Sequence, residues 1–68
     1  MTIINPDGVV IMINPKSFMV NSSLFIPCVN IKKGKRQIKD WAKKEGFSVA
    51  VETRIENEAL GLRVWRTA

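Results

Sequence analysis

Lys32-Lys33-Gly34-Lys35-Arg36-Gln37-Ile38-Lys39-Asp40-Trp41-Ala42-Lys43-Lys44-Glu45 reads as one amphipathic helix, and the fold turns on that stretch. Ile38, Trp41, Ala42 and Glu45 recur at helical spacing and share one face. Ile38 and Trp41 are expected to pack on a sheet, with the stem of Glu45 at the margin. At ~100° per residue, Lys32, Arg36, Lys39 and Lys43 fall on a single outward stripe. Lys33 and Lys44 flank it, and Asp40 is the only acid among them. Gly46 stands where a left-handed C-terminal residue is wanted.

Downstream, Phe47-Ser48-Val49-Ala50-Val51-Glu52-Thr53-Arg54 alternates, which directs Phe47, Val49 and Val51 toward the core. Glu56-Asn57-Glu58-Ala59 makes the turn. Leu60, Leu62 and Val64 then face inward, and Gly61, Arg63 and Trp65 face the other way. Upstream, Leu24-Phe25-Ile26-Pro27-Cys28-Val29 looks extended. Pro27 cannot donate to a ladder, so this strand lies at an edge or stops near it. Asn5-Pro6-Asp7-Gly8 is a turn joining a short strand at Thr2–Ile4 to one at Val9–Ile13. The second of these is apolar on both faces, so it asks for the helix on one side and another chain on the other. Residues 1–68 therefore read as a single α+β domain. One small antiparallel sheet (N-terminal hairpin, edge strand, C-terminal hairpin) carries one basic helix on a face.

A chain of 68 residues buries only about 60% of the surface its unfolded form exposes, so its stability is marginal. With one cysteine and no histidine, neither an internal disulfide nor a structural zinc site is expected. Self-association is the remaining support, and a homodimer is the expected state. The apolar run Val9–Ile13 falls far short of the ~20 residues that span a bilayer, so no membrane partner is expected. The same run is too short for a signal-peptide core and Met1-Thr2-Ile3-Ile4 lacks a basic flank, so no secretory signal is expected. The lone thiol suits a reducing, intracellular setting.

Seven of the eleven basic residues lie in the helical stretch, within a formal charge of +5 and a pI of about 9.9. That balance favours an anionic partner. Lys32, Lys33, Lys35 and Arg36 lie at the helix start, where the macrodipole is already positive and each costs about 0.3–1 kcal/mol at low salt. Free N–H groups at that end favour a bound phosphate or carboxylate, and Gly34 would allow it to approach closely. Arg63 and Trp65, joined by Arg54 from the neighbouring strand, form a second face able to stack bases and pair phosphates. The same composition suits a protein hot spot or a tryptophan buried in a dimer seam. The candidate anion-binding residues are thus Lys32, Lys33, Lys35, Arg36, Lys39, Lys43, Arg54, Arg63 and Trp65. No catalytic set accompanies them: histidine is absent, Cys28 has no base to activate it, and the carboxylates are scattered. The expectation is a non-enzyme without cofactor or metal, Cys28 serving as a small buried side chain.

Met19-Val20-Asn21-Ser22-Ser23-Leu24-Phe25-Ile26-Pro27, Lys43-Lys44-Glu45-Gly46-Phe47 and Gly61-Leu62-Arg63-Val64-Trp65-Arg66 together resemble a group of small tailed-phage proteins. Those proteins carry "M-x-V-G-D-S-F-F-V-P", a basic helix, "G-(I/F)-x-(V/F)" and a terminal "G-(I/V)-R-V-W-R". The resemblance covers about fifty residues, from Ser17 onward. Here Asn21-Ser22 replaces the group's Gly-Asp, and residues 1–16 have no counterpart. The resemblance implies a phage or prophage origin and the cytoplasm of a bacterial host, with no activity attached. Three functions follow in order of expectation: nucleic-acid binding through the basic helix and the Arg/Trp face, inhibition or anti-defence by docking on an acidic host protein, and sequestration of an anionic nucleotide.

Overall fold

Why the helix starts where it does is set by two side chains upstream of it. Asn30 is the N-cap, its side-chain oxygen accepting the Lys33 amide at 3.2 Å, and Asp7 accepts the amides of Val29 and Asn30 at 2.8–3.0 Å. The computed structural model describes residues 2–68. Chain order is β1 (Thr2–Ile4), β2 (Ile11–Ile13), a 3-10 turn at Pro15–Ser17, β3 (Ser23–Pro27), α1 (Ile31–Glu45), β4 (Val49–Glu56) and β5 (Ala59–Arg66). Gly46, at φ 79°, closes the helix and donates to the carbonyls of Ala42 and Lys43, as the sequence predicts.

The α+β class holds, with the helix packed on a sheet, and the strands divide into two antiparallel sheets. One is β1-β2; the other is ordered β3-β5-β4. Asn14-Pro15 stops β2 after three residues and turns the chain into the 3-10 segment, and the hairpin forms no ladder with β3. Strand β2 begins at Ile11 rather than at Val9, because the intervening loop is tied elsewhere. The Asn5 backbone N–H donates to Gln37 Oε1 and Gln37 Nε2 donates to Asn5 Oδ1, and Asp7 is held at the helix start. Ile4 and Ile13 enter the core, and the other face of the hairpin, Ile3 and Met12, stands exposed.

Register fixes the two faces of the larger sheet. Leu24, Val64 and Val51 align across the strands, as do Ile26, Leu62 and Thr53, on the side of the helix. Ile26, Leu62 and Val64 join Ile38, Trp41, Ala42, Phe18 and Cys28 in the buried core. Trp41, Phe18 and Phe47 form a ring cluster at centroid distances of 5.5–6.2 Å. Glu45 is exposed, so the apolar face of α1 ends at Ala42. Leu60 departs from its expected inward position: it is 38% exposed, opposite Ile55 at 73%. This pair adjoins the hairpin turn, where the sheet runs past the cover of the helix.

Two backbone positions carry opposite constraints. The β4–β5 turn holds Asn57 and Glu58 at φ 50° and 64°, a left-handed geometry that asparagine tolerates and glutamate resists. Replacing Glu58→Gly should stabilise the fold by ~0.5–1 kcal/mol, read as an upward shift in the urea midpoint. Gly61 is the reverse case. A Cβ there would press on the Ile26 carbonyl oxygen, the Phe25 ring at 2.7 Å and the Pro27 backbone at 2.8 Å. Gly61→Ala should therefore destabilise by about 3 kcal/mol on the same measurement, and a near-neutral result would show that β3 can move.

Candidate functional site

Helix α1 presents its cations as the spacing dictates. Lys32, Arg36, Lys39, Lys43 and Lys44 are exposed, while Lys33 and Lys35 lie half-buried on the flanks. Among the described residues there are two ion pairs, Arg54–Glu52 and Arg63–Glu56, and neither involves the helix. The helix ammonium and guanidinium groups are therefore not neutralised by the chain's own carboxylates. Asp40 lies on the same exposed surface and pairs with none of them within 4 Å.

The helix N-terminus differs from the anion cradle that the sequence suggests. The Lys33 amide is capped by Asn30, the Gly34 amide bonds the Asn30 carbonyl, and the Asp7 carboxylate already supplies a negative charge beside this end. Gly34 leaves no opening for a ligand. It is buried, and a Cβ on it would lie 3.0 Å from Leu62 and 3.1 Å from the Cys28 sulfur. The glycine serves helix-to-sheet packing. An anion arriving here would meet the charge of Asp7.

Arg54, Arg63 and Trp65 do share one face, as expected, and it is the face of the sheet turned away from the helix. Arg63 donates to the Glu56 carboxylate through Nε at 2.9 Å and through a second, short bond from its terminal nitrogen. Its guanidinium also lies 5.6 Å from the Phe25 ring centroid. Arg54 lies 5.2 Å over the half-buried ring of Trp65 and pairs with Glu52 at 3.4 Å. Each aromatic ring is thus stacked by one of the chain's own arginines, and each arginine has a carboxylate partner. The nine predicted residues occupy two surfaces with the protein's thickness between them, and only the helix stripe has unpaired charge.

Sequence reasoning missed Asp7, Glu56 and Arg66. Asp7 was legible only as a turn residue, since its partners lie 22 and 23 positions away. Glu56 follows from the β5 register only once the turn is known. Arg66 falls on the helix side of β5, opposite Val49; it stacks 3.7 Å over Phe47 and donates to the Phe18 carbonyl at 2.8 Å. Cys28 is buried, and its thiol is pushed up by burial and then by the charge of Asp7. A cleft of about 320 Å3 between β2 and β3 is lined by uncharged residues, Ile13, Phe18 and Leu24 among them, and includes no predicted site residue. No group of metal-binding side chains occurs among the described residues, nor any helix long and apolar enough to cross a membrane. Comparison with family models, curated proteins and solved structures found no match to this chain.

The Arg63–Glu56 pair makes stability depend on pH. The hydrogen bond from Arg63 holds the Glu56 carboxyl below its ordinary range near 4.5 and raises Arg63 in turn. A carboxylate depressed on folding stabilises the native chain above that range, and the contribution is lost as pH falls through the lower folded value. Denaturation midpoints should therefore fall more steeply with acid in the parent chain than in Glu56→Gln. The two curves should converge once Glu56 is protonated; parallel curves would show that the pair adds nothing.

Proposed function

We propose that this chain is a small nucleic-acid-binding protein of phage or prophage origin, acting through the outward face of α1 and sensing charge rather than sequence. The observation that carries the reading is the exposed row Lys32, Arg36, Lys39 and Lys43, with no carboxylate of the chain paired to it. At 1.5 Å per residue the row is about 16 Å long. A duplex offers one negative charge per ~1.7 Å of its axis, so each of the four heads can meet a phosphate. Lys33 and Lys35 add positive potential from the flanks. Arg54, Arg63 and Trp65 stand on the opposite face and take no part in that contact.

Four phosphate contacts give a log K against log salt slope of about −3.6 on duplex DNA, at roughly −0.9 per contact. In the double variant Arg36→Glu/Lys39→Glu that slope should fall to about half or less, with affinity reduced on every sequence tried. Unchanged affinity would remove the helix from the interface. A second reading, docking on an acidic host protein, uses the same unpaired stripe of α1, with the stacked Arg54–Trp65 and Arg63–Phe25 pairs offering a further contact face of hot-spot composition. A stoichiometric protein partner recovered from nuclease-treated bacterial lysate, together with no salt-dependent DNA binding, would favour it.

A further inference from the structure

The outer edge of β4 is a surface that the fold leaves open. In the order β3-β5-β4, β4 pairs on one side only and runs for eight residues, Val49–Glu56. Its register with β5 is unbroken, and its sequence has no proline, glycine or lysine. Edges are ordinarily blunted by such residues, by bulges or by shortness. The other strands follow that pattern: β3 ends at Pro27, and β1 and β2 are three residues each. From Glu52 to Ile55 every residue of β4 is exposed, Ile55 at 73%.

The hairpin fixes which backbone groups point outward. Glu56 and Ala59 flank the two-residue turn and form its closing pair, so Glu56, Arg54, Glu52 and Ala50 bond toward β5. The amides and carbonyls of Val49, Val51, Thr53 and Ile55 then face the open edge. We infer that this edge pairs with the same edge of a second copy of the chain, antiparallel and centred on Thr53.

Self-complementarity selects that register. Val51-Glu52-Thr53-Arg54-Ile55 reads symmetrically about its middle residue, apolar at both ends and oppositely charged on either side. Centring on Thr53 places Glu52 opposite the partner's Arg54 and Val51 opposite the partner's Ile55, twice each by symmetry. It covers the exposed Ile55 and bonds the outward amides. A shift of the centre to Glu52 or Arg54 sets like charges face to face, which disfavours both neighbouring registers. Within one chain Glu52 and Arg54 already pair at 3.4 Å on one face, so the dimer exchanges each partner for its symmetry equivalent. A two-fold axis perpendicular to the sheet would keep both helices on one side of a continuous six-stranded sheet. The surface does not depend on nucleic-acid binding.

Sedimentation of the full chain without nucleic acid tests this. The parent protein should form a species of about 15 kDa, twice the 7.7 kDa chain, in a concentration-dependent equilibrium. Thr53→Pro removes an outward amide that the β4–β5 ladder does not use and should give a folded monomer by circular dichroism. Glu52→Arg alone and Arg54→Glu alone put like charges opposite each other and should weaken the dimer at least roughly tenfold. Mixed together, these two variants restore both charge pairs and should form a heterodimer. A parent chain that stays monomeric at every concentration would overturn the inference, as would a dimer indifferent to Thr53→Pro or a mixture that fails to associate.

Discussion

The Asp7 carboxylate holds together parts of the molecule that backbone bonding leaves separate. Among the described residues, no backbone hydrogen bond joins the β1–β2 hairpin to the rest of the chain. It is attached by Ile4 and Ile13 in the core, by the Gln37 side-chain amide on the Asn5 backbone N–H and Oδ1, and by Asp7 on the amides of Val29 and Asn30. Those last bonds do two things at once. They dock the hairpin turn, and they set the approach of the chain into α1. Because hydrogen bonds to an ionised acceptor are worth more than neutral ones, this one exposed loop residue reinforces the Asn30 cap in fixing where the helix begins.

That arrangement also resolves an electrostatic conflict. The first turn of α1 carries basic residues and no acid, the unfavourable sense for a helix dipole. Asn30 answers it from the N-cap position and Asp7 from the hairpin turn. With the positive end satisfied internally, what remains for a partner is the flank of the helix, a row of separate point charges. Such a row attracts a polyanion along its length better than it grips a single small ligand. The opposite sheet face follows a different rule: its arginines are tied to glutamates and stacked on rings, so it offers shape and apolar area more than charge.

Much of this was legible in the chain. Periodicity located α1 to within one residue, Gly46 marked its end, Pro27 marked the end of an edge strand, and alternation placed Leu62 and Val64 inward. The failures share a cause, which is distance along the chain. That residues 2–13 form their own sheet depends on Asp7 and Asn5 reaching positions more than twenty residues away. That Gly34 packs against Leu62 rather than opening onto solvent depends on how closely helix and sheet approach. Leu60 has an inward pattern, but how far the helix extends over the sheet decides whether that side is dry. For the site, the exposure of the helix stripe follows from spacing alone. The Arg54–Glu52 pair is local, two residues apart on one face of β4, whereas the pairing of Arg63 with Glu56 runs diagonally across the β4–β5 hairpin and no local pattern specified it.

Cys28 gives the molecule a built-in gauge of its own integrity. Its sulfur lies beside Gly34, where Leu62 and the buried Pro6 also approach the helix, and it is the single thiol in the chain. An alkylating reagent reaches so buried a thiol only through an opening, local or global, that exposes it. The rate of modification therefore times that opening, and so measures how firmly the packing between helix and sheet around Cys28 is held.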